Sequence, residues 1–295
     1  MNEYLFKVAD CFFAVLLPDG MDVERLLPSF QPFWVEDETA ADCLFRLEVT
    51  EKPISSIDGK AQLLEESTND LGDVRVLDAG KELQIEVSYD INREKIHVLK
   101  VERDFADGQA FILAEEPTAS VALSSMLRMM FAQAVIRVQG ISMHASCVVK
   151  EGKGYLFLGK SGTGKSTHSE QWMAVFPGCK LLNDDNPVVR QKEGEPWVYG
   201  TPWSGKKNCY KQECYPVGGI VRLYQAPTNQ FFRLEDAMAF GALLPSCSVY
   251  RNDMELQDIL YDLLVDMVER LKVGRLNCLP DKEAAQLCHE CFTNW

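Results

Sequence analysis

Residues 1 to about 115 alternate short apolar and polar stretches. The alternation is clearest at residues 44–49 and 83–87, where every second side chain is apolar. A period of two residues predicts half-buried strands of antiparallel sheet. We therefore expect a β-rich N-terminal region at residues 1–118. Turn signals that separate its strands occur at Asp58 and Gly59, Ala79 and Gly80, and Asp107 and Gly108.

The pattern changes at residue 119, where an amphipathic helix is predicted over residues 119–138. Gly140 is expected to end this helix, and its methionines are expected to fill the core. The apolar residues at helical spacing are Leu123, Met126, Leu127, Met130, Ala134 and Val135.

From residue 141 onwards strand and helix patterns alternate, which is typical of an α/β arrangement. The whole chain is therefore expected to be an α+β or α/β protein, with its second domain at residues 119–295. Strands are predicted at residues 143–149, 154–158, 179–182, 187–191, 197–200 and 218–225. Helices are predicted at residues 165–176, 235–244, 253–272 and 281–292.

The composition fits an ordinary soluble globular protein, with 46 % hydrophobic and 25 % charged residues among 295. No apolar run approaches the roughly 18–20 residues needed to cross a bilayer, and the N-terminus lacks signal-peptide features, so a cytoplasmic location is expected. The net charge of −14 makes nucleic acid and membrane poor partners. An oligomer stays possible.

The ten cysteines are expected to be free thiols, and the Cys288 and Cys291 pair is expected to be structural.

A glycine-rich segment follows the apolar run at residues 155–158 and precedes a predicted helix. It fits the pattern G-x₄-G-K-[ST] of loops that bind phosphate. The glycines let the backbone turn its N–H groups toward phosphate. Lys165 is expected to reach the β- and γ-phosphates, and Ser166 to ligate Mg²⁺. The predicted ATP-binding residues are Gly159, Lys160, Ser161, Gly162, Thr163, Gly164, Lys165, Ser166 and Thr167.

Two adjacent carboxylates, Asp184 and Asp185, end the short strand after the helix that follows this loop. Ligands of α/β sheets bind beyond the carboxyl ends of strands, so the pair is well placed for Mg²⁺ and for accepting a hydroxyl proton. His144 lies ahead of the loop, where a histidine is more often a core residue than a functional one. His168 is expected to be structural or to support the site, and His97 and His289 to be structural.

Three segments in order resemble the nucleotide-binding core of two related families, HPr kinase/phosphorylase and phosphoenolpyruvate carboxykinase. The resemblance covers roughly residues 140–225 and implies a P-loop domain of the carboxykinase type. It implies that Asp184 lies near the nucleotide metal and that Asp185 acts as metal ligand or base. It also implies that His144 ligates a second divalent metal, such as Mn²⁺. The three segments are residues 144–146, 159–166 and 183–185.

The chain departs from both families. It has few arginines after the loop, so a full carboxykinase site is doubtful, and it lacks the Gly-rich specificity segment of HPr kinases. The segment at residues 199–206 looks like that of small bacterial HPr-kinase-like proteins. It is expected either to close over the nucleotide or hold an anionic acceptor, or to be a structural loop around a buried tryptophan.

These observations lead to three hypotheses for the function. The first is an ATP- and Mg²⁺-dependent kinase, with Lys165, Asp185 and His144 as catalytic residues and a metabolite hydroxyl or protein serine as acceptor. The metal ligands expected for it are Ser166, Asp184, Asp185 and His144. The second is a carboxykinase-type lyase, and the third is a nucleotide-sensing binding module with little turnover.

Overall fold

The computed structural model describes residues 1–36, 42–54, 61–69, 72–78, 80–205 and 207–295. The turn signals at Asp58, Gly59 and Ala79 and the basic residue Lys206 lie outside these ranges. Contacts divide the chain into two compact units, Met1–Ala134 and Val135–Trp295. The protein is a mixed α and β structure with one large sheet in each unit.

The first unit contains a sheet of nine strands within the described residues, in the order β3-β1-β2-β4-β9-β8-β7-β6-β5. Phe13 stacks on Phe45 at 4.7 Å between ring centroids and lies edge-on to Phe131 at 5.9 Å. These rings form the centre of an aromatic core. The strands are β1 (Asn2–Val8), β2 (Cys11–Leu17), β3 (Trp34–Val35), β4 (Cys43–Thr50), β5 (Gln62–Asn69), β6 (Gly72–Asp78), β7 (Glu82–Ser88), β8 (Ile96–Glu102) and β9 (Asp107–Phe111).

This sheet is mixed: the prediction of antiparallel strands holds for most of its pairs and is wrong for β4. Strand β4 pairs in parallel with both β2 and β9. A parallel pair needs a long crossover, which helix α1 (Val23–Leu26) and a 3-10 helix at Pro28–Phe33 supply between β2 and β4. Alternation of side chains reports that one face is buried and says nothing of strand direction.

The predicted turn at Asp107 and Gly108 was also wrong. Both residues belong to strand β9, and the chain turns just before it, where the Phe105 N–H donates to the Glu102 carbonyl at 3.0 Å. A Cβ at Gly108 would lie 3.0 Å from the terminal methyl of Met130. The glycine therefore serves the close approach of a helix rather than a turn.

That helix is α2 (Ala119–Ala134), which continues as a 3-10 helix at Val135–Val138. By its contacts α2 belongs to the first unit, whereas the sequence-based boundary lies before it. The residue in the left-handed conformation is Gln139, with φ of 63°, and Gly140 already begins strand β10. Gly140 is therefore not the residue that ends the helix.

The stretch Ala119–Val138 is long and apolar enough, by length and composition, to cross a membrane. The expectation that no run would reach this length was therefore wrong. Length and composition are weak evidence for a span, and 72 % of the most apolar window is buried inside the protein. A helix that is apolar on most sides is what a buried core position requires.

The second unit contains a sheet in the order β10-β14-β15-β16-β12-β11-β13, with β18 added beside β16 and β17 beside β18. Helices α3 (Lys165–Val175) and α6 (Lys282–Thr293) cover one face, where Trp172 and Phe157 are fully buried with Phe292. Its strands are β10 (Gly140–Ser142), β11 (Ala145–Lys150), β12 (Lys153–Leu158), β13 (Lys180–Asn183), β14 (Val188–Lys192), β15 (Glu195–Tyr199), β16 (Cys214–Gln225), β17 (Gln230–Leu234) and β18 (Val273–Cys278).

All four helices predicted for this unit are present, as α3 (Lys165–Val175), α4 (Asp236–Leu243), α5 (Met254–Arg270) and α6 (Lys282–Thr293). Asp253 and Asp281 start α5 and α6 by accepting bonds from backbone N–H groups in the first turn. Strand β11 begins at Ala145, so His144 lies in the bend before it. The prediction had placed His144 inside a strand. Strands β10, β17 and β18 were not predicted.

Candidate functional site

The glycine-rich loop connects the end of strand β12 to the start of helix α3. Gly162 and Gly164 have φ of 79° and 106°, in the left-handed region that is costly for residues with a Cβ. The His168 N–H donates to the Gly164 carbonyl at 2.8 Å and begins the helix. Among the described residues, no side chain forms a capping hydrogen bond at the N-terminus of this helix, where Gly164 is the N-cap. Its first N–H groups can therefore serve an acceptor outside the helix.

Gln225, at the end of strand β16, anchors this loop. Its Nε2 donates to the carbonyl oxygens of Gly162 at 3.2 Å and Thr163 at 3.4 Å. These two carbonyl oxygens therefore point toward Gln225 at the end of β16, and not into the loop where a phosphate would bind. Gln225 was not predicted as a site residue. The one feature in the sequence that could have indicated it is its position at the end of a predicted strand. Of the other predicted loop residues, Lys160 and Ser161 are exposed, whereas Ser166 and Thr167 are half-buried.

Lys165, His144 and Asp185 form one continuous hydrogen-bonded chain. The Lys165 Nζ lies 2.8 Å from His144 Nε2, and His144 Nδ1 lies 3.0 Å from Asp185 Oδ1. Lys165 Nζ also donates to the Gly159 carbonyl at 3.2 Å. Lys165 is 8 % exposed, so its charge is held in a largely desolvated place. Lys165 and Asp185 are 21 and 41 positions away from His144 in the sequence, and both contact its ring.

The chemistry of the groups fixes the proton positions in this chain. An ammonium has donors only, so His144 Nε2 is the acceptor in its contact with Lys165. The remaining ring proton is then on Nδ1 and is donated to Asp185. Asp185 Oδ2 accepts a further bond from Asn186 Nδ2 at 2.7 Å. The histidine is therefore held in one tautomer and one orientation.

Asp184 belongs to a second, buried network. Ser146 Oγ donates to Asp184 Oδ1 at 2.7 Å and lies 2.6 Å from Ser169 Oγ. Both serines are fully buried, and Asp184 is 6 % exposed. Because the Ser146 proton is given to the carboxylate, Ser169 must donate to Ser146. Two hydroxyl groups thus orient one buried carboxylate.

Asn183 ties the turn that holds both aspartates to the loop after β15. Its Nδ2 donates to Thr201 Oγ1 and to the Trp203 carbonyl, both at 3.0 Å. Its Oδ1 accepts from the N–H groups of Asp185 and Asn186, both at 2.9 Å. Asn183 is fully buried. The two aspartates are therefore placed by a neighbour that has no charge.

The loop at residues 199–205 lies against this turn. A Cβ at Gly205 would lie 3.5 Å from the Asp185 Cβ, so the backbone passes close to the carboxylate. Trp203 is buried, in line with the structural alternative for this loop. The loop is also linked to α3, because Lys207 pairs with Glu170 at 2.7 Å.

The carboxylates offer a partial fit to a divalent cation. Asp184 is more than nine-tenths buried, and among the described residues its hydrogen-bond partner is a neutral hydroxyl. A buried carboxylate without a cation is unfavourable, which favours binding of one there. The described residues contain no group of three or more His, Cys, Asp or Glu side chains arranged for a metal. A cation would therefore also need oxygen ligands from Ser166, water or phosphate.

Other residues singled out in the sequence lie in structural positions. Trp172 Nε1 donates to His168 Nε2 at 3.1 Å, and burial lowers the pKa of His168 to about 4. Burial raises the pKa of Cys288 well above its usual value, so a thiolate is disfavoured there. All ten cysteines are free. His97 is buried and His289 packs between Trp172 and Phe176.

No protein-family model and no curated protein sequence matches the chain. Among solved structures, one similar chain is the HPr(Ser) kinase/phosphatase from Coxiella burnetii. The match covers 52 % of this chain and 94 % of that chain, at 13 % identity and a TM-score of 0.31. A likeness this distant supports no argument about function, which must rest on the residues of the site.

Proposed function

We propose that this protein is an ATP-dependent phosphotransferase that uses Mg²⁺ and phosphorylates a hydroxyl group. The observation that supports the proposal is the chain Lys165–His144–Asp185 at the mouth of the glycine-rich loop. It combines a cation, a proton acceptor and a carboxylate where a terminal phosphate would sit. A loop that only bound nucleotide would not need the histidine and the carboxylate in contact with its lysine.

Each residue has a role in this proposal. Lys165 leaves His144 Nε2 and neutralises the β- and γ-phosphates of the nucleotide. His144 Nε2 is then free to accept the hydroxyl proton. Asp185, bonded to Nδ1–H, stabilises the imidazolium that forms, so the pair acts together as the base. This extends the expectation that Asp185 alone is the base.

Asp184 and the Ser166 hydroxyl would hold Mg²⁺, which would supply positive charge against the phosphates. His144 was also expected to ligate a second metal. In the present contacts both of its ring nitrogens are engaged, by Lys165 and Asp185. A metal could reach Nε2 only after Lys165 has moved to the phosphates.

The proposal is tested by incubating the protein with γ-labelled ATP and Mg²⁺ against pools of hydroxyl metabolites and of extract proteins. We expect a labelled product that disappears in Lys165→Ala and falls by at least about 100-fold in Asp185→Asn. Lys153→Ala, which changes an exposed lysine at the start of β12, is the matched control. Tight ATP binding without any product would instead support a nucleotide-sensing module. Normal turnover in Lys165→Ala would refute the proposal.

A further inference from the structure

Arg222 is a buried arginine on strand β16, on the face opposite to α3 and α6. It is 8 % exposed. Its Nε donates to the Ala242 carbonyl at 2.7 Å, and its Nη2 donates to Ser246 Oγ at 3.2 Å. The first bond falls in the last turn of helix α4, whose carbonyls carry partial negative charge. The guanidinium is thus fixed in place by two neutral groups.

Within the described part of the chain, Arg222 forms no ion pair. Burial lowers the pKa of its guanidinium, and the groups that oppose this effect are the Tyr224 phenol and the Cys247 thiol. Burial raises the pKa of Cys247 to about 12, so this thiol is neutral at pH 7. A largely desolvated cation without an anionic partner is unfavourable by itself. Arginines at such depth normally meet a carboxylate or a phosphate.

Arg222 lies next to the site described above. It pairs in parallel register with Leu158, the last residue before the glycine-rich loop. Its partner Ser246 accepts, through its backbone carbonyl, the His144 N–H at 2.7 Å. One residue therefore contacts both the guanidinium and the backbone of the histidine.

Several donors stay available at this point. A guanidinium has five N–H groups, and the described residues accept two of those of Arg222. Ser246 Oγ accepts from Arg222, so its own proton is left for another acceptor. Two adjacent donor groups, one of them charged, form a receptor for the oxygens of an anion. Neither Ala242 nor Ser246 carries a formal negative charge.

We propose that Arg222 and Ser246 bind an anionic group of the phosphoryl acceptor, a carboxylate or a phosphate, and so place its hydroxyl beside His144. This inference rests on the proposed function. It narrows the acceptor to molecules that carry both a hydroxyl and an anion. Neutral alcohols and sugars are excluded as good substrates.

Three small probes separate the contributions: glycerol, glycerate and glycerol 3-phosphate. All carry hydroxyl groups, and they differ in bearing no anion, a carboxylate or a phosphate. The melting midpoint of the protein is measured with each probe at constant ionic strength, with and without a saturating non-hydrolysable ATP analogue and Mg²⁺. The analogue fills the glycine-rich loop, so that the loop itself cannot bind the anion of the probe. Glycerate or glycerol 3-phosphate should raise the midpoint, and the one that does identifies the anion, whereas glycerol should not.

Arg222→Met should weaken binding of the effective probe by about tenfold or more, since a charged hydrogen-bonded contact is lost. Arg222→Lys should lose less, and it covers the case in which the methionine variant does not fold. Arg275→Met is the matched control, because Arg275 faces Arg222 across the β16–β18 pair and stacks on Tyr224 at 4.5 Å. An equal response to glycerol, no response to either anion, or unchanged binding in Arg222→Met would overturn the inference. No effect of the ATP analogue would count against the proposed function, while an Arg222-dependent anion effect would leave this site standing.

Discussion

Replacing Ser146 by alanine removes the hydroxyl that donates to Asp184 and leaves the buried carboxylate without this bond. A hydrogen bond to a charged group contributes about 1.5–3 kcal/mol to stability, because a lost partner exposes the desolvation cost of the charge. Ser146 and Asp184 are 0 % and 6 % exposed, so water cannot readily replace the hydroxyl. We therefore expect Ser146→Ala to reduce the free energy of unfolding by about 1.5–3 kcal/mol at pH 7.

The assay is urea unfolding followed by tryptophan fluorescence, since Trp172 is buried in the same unit. Ser169→Ala is the matched control, because it removes only a bond between two neutral hydroxyls, worth about 0.5–1.5 kcal/mol. The loss should also shrink when Asp184→Asn is present, since the charge is then gone. A Ser146→Ala loss no larger than that of Ser169→Ala, or unchanged by Asp184→Asn, would refute the reasoning.

Three further variants test other parts of the account. Because burial lowers the pKa of His168 to about 4, the unfolded chain takes up its proton first as pH falls below 6.5. Stability should then decrease by about 1.4 kcal/mol per pH unit between 6.5 and 4, and comparison with His168→Gln by urea unfolding should isolate this slope. Gly164→Ala should reduce the free energy of unfolding by about 1–2 kcal/mol, because a φ of 106° is unfavourable for a residue with a Cβ, whereas the added Cβ would meet no neighbour within 4 Å. Calorimetry should also show weaker ATP binding by this variant. Asn183→Ala should reduce the free energy of unfolding, measured by urea unfolding, by about 3 kcal/mol or more. The substitution removes the hydrogen bonds that hold the turn with both aspartates to the loop after β15.

The glycine-rich loop could be located from sequence because its chemistry is local. Glycines, Lys165 and Ser166 are adjacent in the chain, and the strand before them and the helix after them have their own periodic patterns. The partners of the loop could not be found in this way. Gln225 is about 60 residues away, and its role depends on the parallel pairing of β12 with β16, which no local pattern reveals.

The same limit explains the rest of the site. Asp185 was singled out by its place at the end of a strand and His144 by resemblance. Their contact with each other and with Lys165 depends on the antiparallel pairing of β11 with both β12 and β13. Ser146 lies in one of the resembling segments but was assigned no role, since a serine in an apolar strand looks like a core position. Its importance appears only when α3 places Ser169 over it.

The two parallel pairings of β4 in the first unit were missed for a related reason. Alternation identifies which face of a strand is buried, and it identified β4 and β7 correctly. It does not report which strand is the neighbour. The crossover that makes β4 parallel to β2 lies in a short helical segment with no strong period of its own.

Calorimetric titration of the protein with ATP or GTP in the presence of Mg²⁺ tests the central idea most directly. A bent glycine backbone and one ammonium should give a saturable heat with one of the two nucleotides, and Lys165→Ala should remove it while Lys153→Ala keeps it. No heat beyond dilution with either nucleotide, or an unchanged affinity in Lys165→Ala, would contradict the assignment of this loop as a phosphate site.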